Sequence, residues 1–396
     1  MAPRPLSILN MTAAIALAVT ACAGLLAAAE ARTQTGDVTL VELPNSGVQP
    51  QIAIDASGTM HVLYFQGEAA HGNLFYTRLN PTSLQFSPAV RVNTQPESAV
   101  ATGSMRGGQM AIGRDGRLHV AWDGSSKATS RAPAGKTPVL YTRLNDARTA
   151  FEPERNLVQM SVDADAAGVA ADANGNVYVA WHAQVPGGVS EADRRVWIAR
   201  SSNDGGAFLP EAAVSNAAAG ACGCCGVRAL ADRRGVVRLL VRSAVEMMNR
   251  DTYLLTSYDK GVTFSSDLMQ PWNVGACPMS TFSLSEVGTD VLAAWETGGQ
   301  LQWLRIDEST SRRSNWTTPA GSATNRRYPS IAGNARGEVA LAWIEGASWN
   351  RGGSLAWQRF GADGKPMGAI GRKPGLPTWD TPAVVVKPDG SFIVIY

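Results

Sequence analysis

GVAADANGNVYVAW, residues Gly168–Trp181, reads as an apolar strand, a tight turn at Asp172–Gly175, and a second strand that ends on an aromatic. Small or apolar residues alternate with polar ones on both sides, and Asn174-Gly175 is a strong hairpin signal. The same pattern recurs at Gln51–Tyr64, Gln109–Trp122, Arg228–Val241, Thr281–Trp295, Ser330–Trp343 and Ala383–Tyr396. The turn glycines are Gly58, Gly116, Gly175, Gly235, Gly288, Gly337 and Gly390. An aromatic follows at a fixed distance in most copies: Tyr64, Trp122, Trp181, Trp343 and Tyr396. Val241 takes that place in the fourth copy, and Trp295 comes one residue late.

Repeats of this length, each with further strands behind the hairpin, are the signature of propeller blades. Third strands read at Asn73–Asn80, Val139–Asn145, Arg195–Arg200, Thr252–Ser257, Gln300–Arg305 and Ser354–Arg359. The expected fold is all-β, a propeller of four-stranded antiparallel blades. Six full units are followed by a seventh copy that stops after two strands, at Tyr396. The lone strand Asp37–Leu43 closes that blade from the other end of the chain, leaving it one strand short. Such closure removes open sheet edges. Six blades with a terminal hairpin packed elsewhere is the alternative. No Pro/Ser-rich linker divides residues 37–396, which read as one domain.

The chain has 396 residues, is nearly half apolar, is rich in glycine and carries a net charge of +2. That composition excludes disorder and offers no basic run for nucleic acid. Arg4 followed by the apolar stretch Leu6–Ala29 reads as a targeting segment within residues 1–31. Ala29-Glu30-Ala31 resembles a signal-peptidase site, whereas Val19-Thr20-Ala21-Cys22 resembles a lipobox that would acylate Cys22 and anchor the chain to a membrane. Both imply export, to the periplasm or as an outer-membrane lipoprotein. Export leaves Cys222, Cys224, Cys225 and Cys277, an even set in an oxidising compartment.

Ser257-Tyr-Asp259-Lys-Gly261-Val-Thr263-Phe264 fits the Asp-box, S-x-D-x-G-x-T-[WF], and Ser202–Phe208 reads as a copy lacking one residue. The box is structural: its aspartate binds turn amides and its glycine permits the bend. On these motifs residues 37–396 resemble the BNR-repeat, sialidase-like propellers. In a propeller the inner strand starts, and the second strand ends, on one face around the channel mouth. Asp-boxes lie on the opposite face.

Cys222-Gly-Cys224-Cys225 and Cys277-Pro278-Met279 precede the inner strands of neighbouring blades, so both reach the channel face. The string C-x-C-C, R-D, W-x4-C-P looks like a recurrent subgroup of bacterial sialidase-like propellers. Three readings of the cysteines stand. Cys277 forms a disulfide with one CGCC thiol; the thiols, with Met279, Met247 and Met248, hold Cu(I), or with His182 hold zinc; or a thiol pair beside Arg250 is redox-active. Arg242, Asn249, Arg250, Asp251, Arg106 and Arg327, with neighbouring Arg326, are candidate ligand-binding residues at the same face. The resemblance implies a carboxylate-clamping arginine set, a tyrosine nucleophile with its glutamate (Tyr328, Glu296) and an aspartic acid (Asp123 or Asp380). The sialidase opening motif [FY]-R-I-P is absent; Leu43-Pro44 stands in its place. The reading favoured is a non-catalytic propeller binding a soft metal or a small ligand. A sialidase-type glycoside hydrolase acting on a glycan and a disulfide-stapled scaffold are the alternatives.

Overall fold

The computed structural model describes Met1 and residues 33–35, 37–103, 107–133, 138–246, 248–322 and 325–396. The targeting segment with Cys22, and Arg106 and Met247, lie outside these residues. No described helix is long and apolar enough to cross a membrane.

Seven sheets follow one another around a channel, as the repeats require. The inner strands, in chain order, are Val48–Ile54, Gln109–Ile112, Val162–Ala171, Arg228–Ala231, Phe282–Val287, Arg326–Gly333 and Ala383–Val386, and they number the blades one to seven. Four of the hairpins are closed by side-chain chemistry that repeats with the sequence. Asp172 Oδ1 accepts the Asn174 and Asn176 amides at 2.8 and 3.1 Å, and Gly175 takes φ +81. Asp55, Asp232 and Asn334 do the same in blades one, four and six. Blade five differs. Val287 pairs directly with Asp290, so Gly288 is the first residue of a shorter turn rather than the last of a longer one. The displaced element is therefore the glycine; Trp295 sits where the other aromatics sit.

Those aromatics explain why the blades form a ring. Seven apolar clusters fill the seven junctions. Trp122, Trp181, Trp295 and Trp343 are wholly buried, each packed toward the preceding blade. Val241 serves the junction of blades three and four.

Two details differ from expectation. Blade seven is not a strand short: Thr33–Thr35 pairs outside Val38–Val41, giving four strands. Val38–Val41 runs parallel to Phe392–Ile395, because it must end at the face where blade one begins. Among the described residues blade five has three strands, and its outer edge is met by bridges at Thr317 and Arg313.

The Asp-box forms as read. Asp259 accepts the Thr263 amide at 2.9 Å, and Gly261 donates to Ser257 Oγ at 2.8 Å. Its partial copy has another register. Gly205 donates to Ser201 Oγ and Ala207 to Asn203 Oδ1, so the box is the full-length Ser201–Phe208, with Asn203 for aspartate. Asp204 is thereby free to turn inward, where it meets Arg117 Nε at 2.6 Å and His119 at 3.4 Å.

Candidate functional site

Second-strand ends meet the next blade's inner strand at the channel mouth, and the candidate side chains stand at these contacts or in the loops beside them. Several inner strands enter through a bulge with a left-handed residue: Gln49 at φ +57, Ala166 at +61 and Tyr328 at +57. The bulge turns backbone amides toward the neighbour. Asp123 accepts the Ala166 and Ala167 amides at 2.9 and 3.2 Å, and Asp380 accepts Gln49 N at 3.0 Å. The two proposed acids thus clasp blades together. Burial pushes the Asp380 carboxyl up to about 7.

At the junction of blades four and five the clasp is Arg242, which is fully buried. Its Nε donates to Ser280 Oγ at 2.8 Å, Nη2 donates to the Glu296 carbonyl at 2.5 Å, and Nη1 donates to the Arg250 carbonyl. Its guanidinium lies 4.7 Å from the Trp272 ring centre and 5.5 Å from that of Phe282. Arg250 is buried too and pairs with Glu191 at 2.5 Å. Asp251 holds the Trp272 amide at 2.8 Å, and Asn249 bridges to Asn273. Arg327 donates to the Pro278 carbonyl at 3.3 Å. These residues, read as ligand-binding, fasten the loop that carries Cys277. Arg326 is likewise used internally, on Gln300 and on the Pro319 and Ala320 carbonyls.

That fastening brings the cysteines together on the channel face. Cys222 N donates to the Arg242 carbonyl at 3.0 Å, and Gly226 N donates to that of Ser280 at 2.9 Å. Cys224 and Cys277 form a disulfide across a separation of 53 residues, tying blade four to blade five. Cys222 and Cys225 stay free and buried, with Sγ atoms 3.0 Å apart. Cys222 Sγ also stands 3.4 Å from Cys224 Sγ. The thiols titrate as a pair. The bond from Cys225, then burial, push Cys222 up. For Cys225 burial acts the same way but is outweighed by the bond with Cys222, by Arg242 and by Ser280, which pull its thiol down to about 6.

The remaining metal candidates do not join this group. The sulfurs of Cys222, Cys224 and Cys225 lie within 4.8 Å of one another, and among the described residues neither His182 nor a carboxylate belongs with them. The zinc site with His182 is therefore not assembled. His182 is wholly buried, neither ring nitrogen makes a hydrogen bond of normal geometry, and burial followed by the Arg194 charge pushes its pKa down to about 3. Met248 is exposed, and Met279 occupies a left-handed turn position at φ +48.

Glu296 ends the second strand of blade five with Oε2 unpaired. Burial pushes its carboxyl up to about 8, against the pull of Arg327 and Arg242. A carboxyl in an unfolded chain titrates near 4.3. Between the two values the folded chain holds a proton that the unfolded chain does not, so stability falls as pH rises through that window. Glu296→Gln should remove this part of the slope. The wild-type-minus-variant difference in melting temperature should shrink from about pH 5 to about pH 8 and change sign if Gln fits well; a difference independent of pH contradicts the assignment.

Tyr328 is buried at the bulge of blade six and lines a channel cavity of about 110 Å3. No hydrogen bond joins it to Glu296 among the described residues. The residue that sequence reasoning missed is Arg228, the first residue of the blade-four inner strand, which projects into the same cavity. Its signal was a charge where other copies carry Gln51, Gln109, Gly168 or Ser330.

No family model and no curated protein matches the chain. Solved structures do. The Hadza microbial sialidase Hz136 aligns at 13% identity over 83% of this chain and 74% of that one, with a TM-score of 0.49. The Penicillium chrysogenum alpha-L-arabinanase aligns at 10% identity over 81% and 95%, with a TM-score of 0.50. The Trypanosoma rangeli sialidase aligns at 11% identity over 78% and 55%, with a TM-score of 0.45. At such identities the likeness is one of fold.

Proposed function

We propose that this chain is an exported, sialidase-like propeller that does not cleave glycosides and that captures Cu(I) between Cys222 and Cys225 at the channel mouth. The observation that carries the reading is the pair of free, buried thiols 3.0 Å apart beside Arg242. Thiolates are soft donors that select Cu(I). Two thiolates on a monovalent ion leave one negative charge, which the adjacent guanidinium offsets. Zinc wants four donors, and here the third sulfur is committed to a disulfide while His182 stands apart. The targeting segment, Arg4 with Leu6–Ala29, supports export as a soluble or a Cys22-lipidated protein.

Anaerobic titration against a chromophoric Cu(I) chelator tests this. One Cu(I) per chain is expected, lost in Cys222→Ser and Cys225→Ser and kept in His182→Gln. Unchanged stoichiometry in the double serine variant refutes it.

A glycoside hydrolase of sialidase type is the second reading. Tyr328 lines the channel cavity, and burial pushes Glu296, cast as the glutamate that activates it, up to about 8. Turnover of a fluorogenic sialoside that is lost in Tyr328→Phe would overturn the non-catalytic part of the proposal. The disulfide Cys224–Cys277 serves a stapled scaffold equally well, and that third reading requires no metal uptake at all.

A further inference from the structure

Arg228 carries a charge that no hydrogen-bond partner among the described residues balances. It stands at the start of the blade-four inner strand, and its Nη1 reaches across the channel to Gln51 Oε1 of blade one at 2.6 Å and to Gln109 Oε1 of blade two. Both partners are neutral amides. No hydrogen bond from Nε or Nη2 is made to any described residue, so the other edge of the guanidinium faces open space.

That space is the cavity of about 110 Å3, walled by Thr281, Ser283, Ser285, Tyr328, Ser330 and Thr381 among others. Among the described residues its lining holds no aspartate or glutamate and Arg228 is its one charged side chain, while a second channel space that Arg228 also borders reaches Asp55 and Glu286. Burial pushes the Arg228 pKa down to about 10, which leaves it cationic at neutral pH, and no neighbouring charge contributes to that shift. Arg228 is half-buried in the channel, and a cation shielded from bulk water is costly unless paired. A guanidinium edge with two parallel N–H groups matches a carboxylate, and its charge suits any small anion.

We propose that the channel is a binding site for a small monovalent anion, a halide or a short carboxylate such as formate, held on the Nε–Nη2 edge of Arg228 and by the surrounding hydroxyls. This site is independent of the cysteine reading. It uses blades one, two and four at once, so occupancy ties together inner strands far apart in sequence.

The test is thermal unfolding of the full chain at constant ionic strength, with sodium chloride or sodium formate replacing sodium sulfate. A ligand that binds only the folded state raises the melting temperature saturably. The expected result is a saturable rise with at least one of the two anions in wild type and none in Arg228→Gln. The stronger of the two names the preferred class. A flat wild-type response, or an equal rise in Arg228→Gln, overturns the proposal. Should that variant not fold, crystals of wild type soaked in bromide decide. Anomalous density against Nε and Nη2 supports the site, and bromide confined to the outer surface overturns it.

Discussion

A chain that begins after Val41 is expected to lose cooperative folding and to aggregate. Val38, Leu40 and Val41 are 1%, 1% and 2% exposed. Burying three such side chains is worth roughly 5–9 kcal/mol, comparable with the whole stability of an ordinary domain, about 5–15 kcal/mol. The backbone suffers as well. Tyr396 N loses its acceptor, the Val41 carbonyl, at 3.1 Å, and Phe392 N loses the Asp37 carbonyl at 2.9 Å. Removing the strand would bare the edge of Phe392–Ile395, a template for pairing with other chains. Circular dichroism melts and size-exclusion profiles read the outcome. A monomer with an unchanged melting temperature would contradict the closure.

Arg242→Met is expected to cost about 4 kcal/mol and to weaken Cu(I) uptake. The thioether fills much of the volume but leaves Ser280 Oγ and the Arg250 and Glu296 carbonyls without their donor. Each buried polar group left unpaired costs about 1–3 kcal/mol, and the stacking on Trp272 and Phe282 is lost too. The charge that pulls Cys225 toward its thiolate disappears with it. Urea unfolding followed by tryptophan fluorescence measures the first effect, and chelator competition the second. A loss within about 0.5 kcal/mol, the range of ordinary surface substitutions, would contradict the central place given to this side chain.

The blades were legible because one hairpin pattern repeats, with Asp172 and Gly175 and their counterparts closing four of the turns and Trp181 and its counterparts filling the junctions. Thr33–Thr35 was not legible: three polar residues carry no strand period, and only their partner Val38–Leu40 defines them. The second Asp-box was read one residue out of register because Asp204 offered an aspartate, while the turn uses Asn203. The candidate site divides in the same way. Which residues stand at the channel mouth follows from the repeat, and the meeting of Cys277 with the CGCC segment was correctly anticipated. What each side chain does there depends on bulges at Gln49, Ala166 and Tyr328 that no sequence pattern announces. Those bulges turn amides toward Asp123 and Asp380, and carboxyls that read as acids on paper hold backbone instead. Arg228 was passed over for a related reason. Its partners Gln51 and Gln109 lie three and two blades away and become neighbours only when the ring closes.

The most direct measurement is a peptide map of the protein from its native compartment, alkylated without reduction. The expected result is one cross-linked peptide pair joining Cys224 to Cys277, with Cys222 and Cys225 both alkylated once the chain is unfolded. A Cys222–Cys225 cross-link, or Cys277 alkylated as a free thiol, would contradict the arrangement on which the metal site depends.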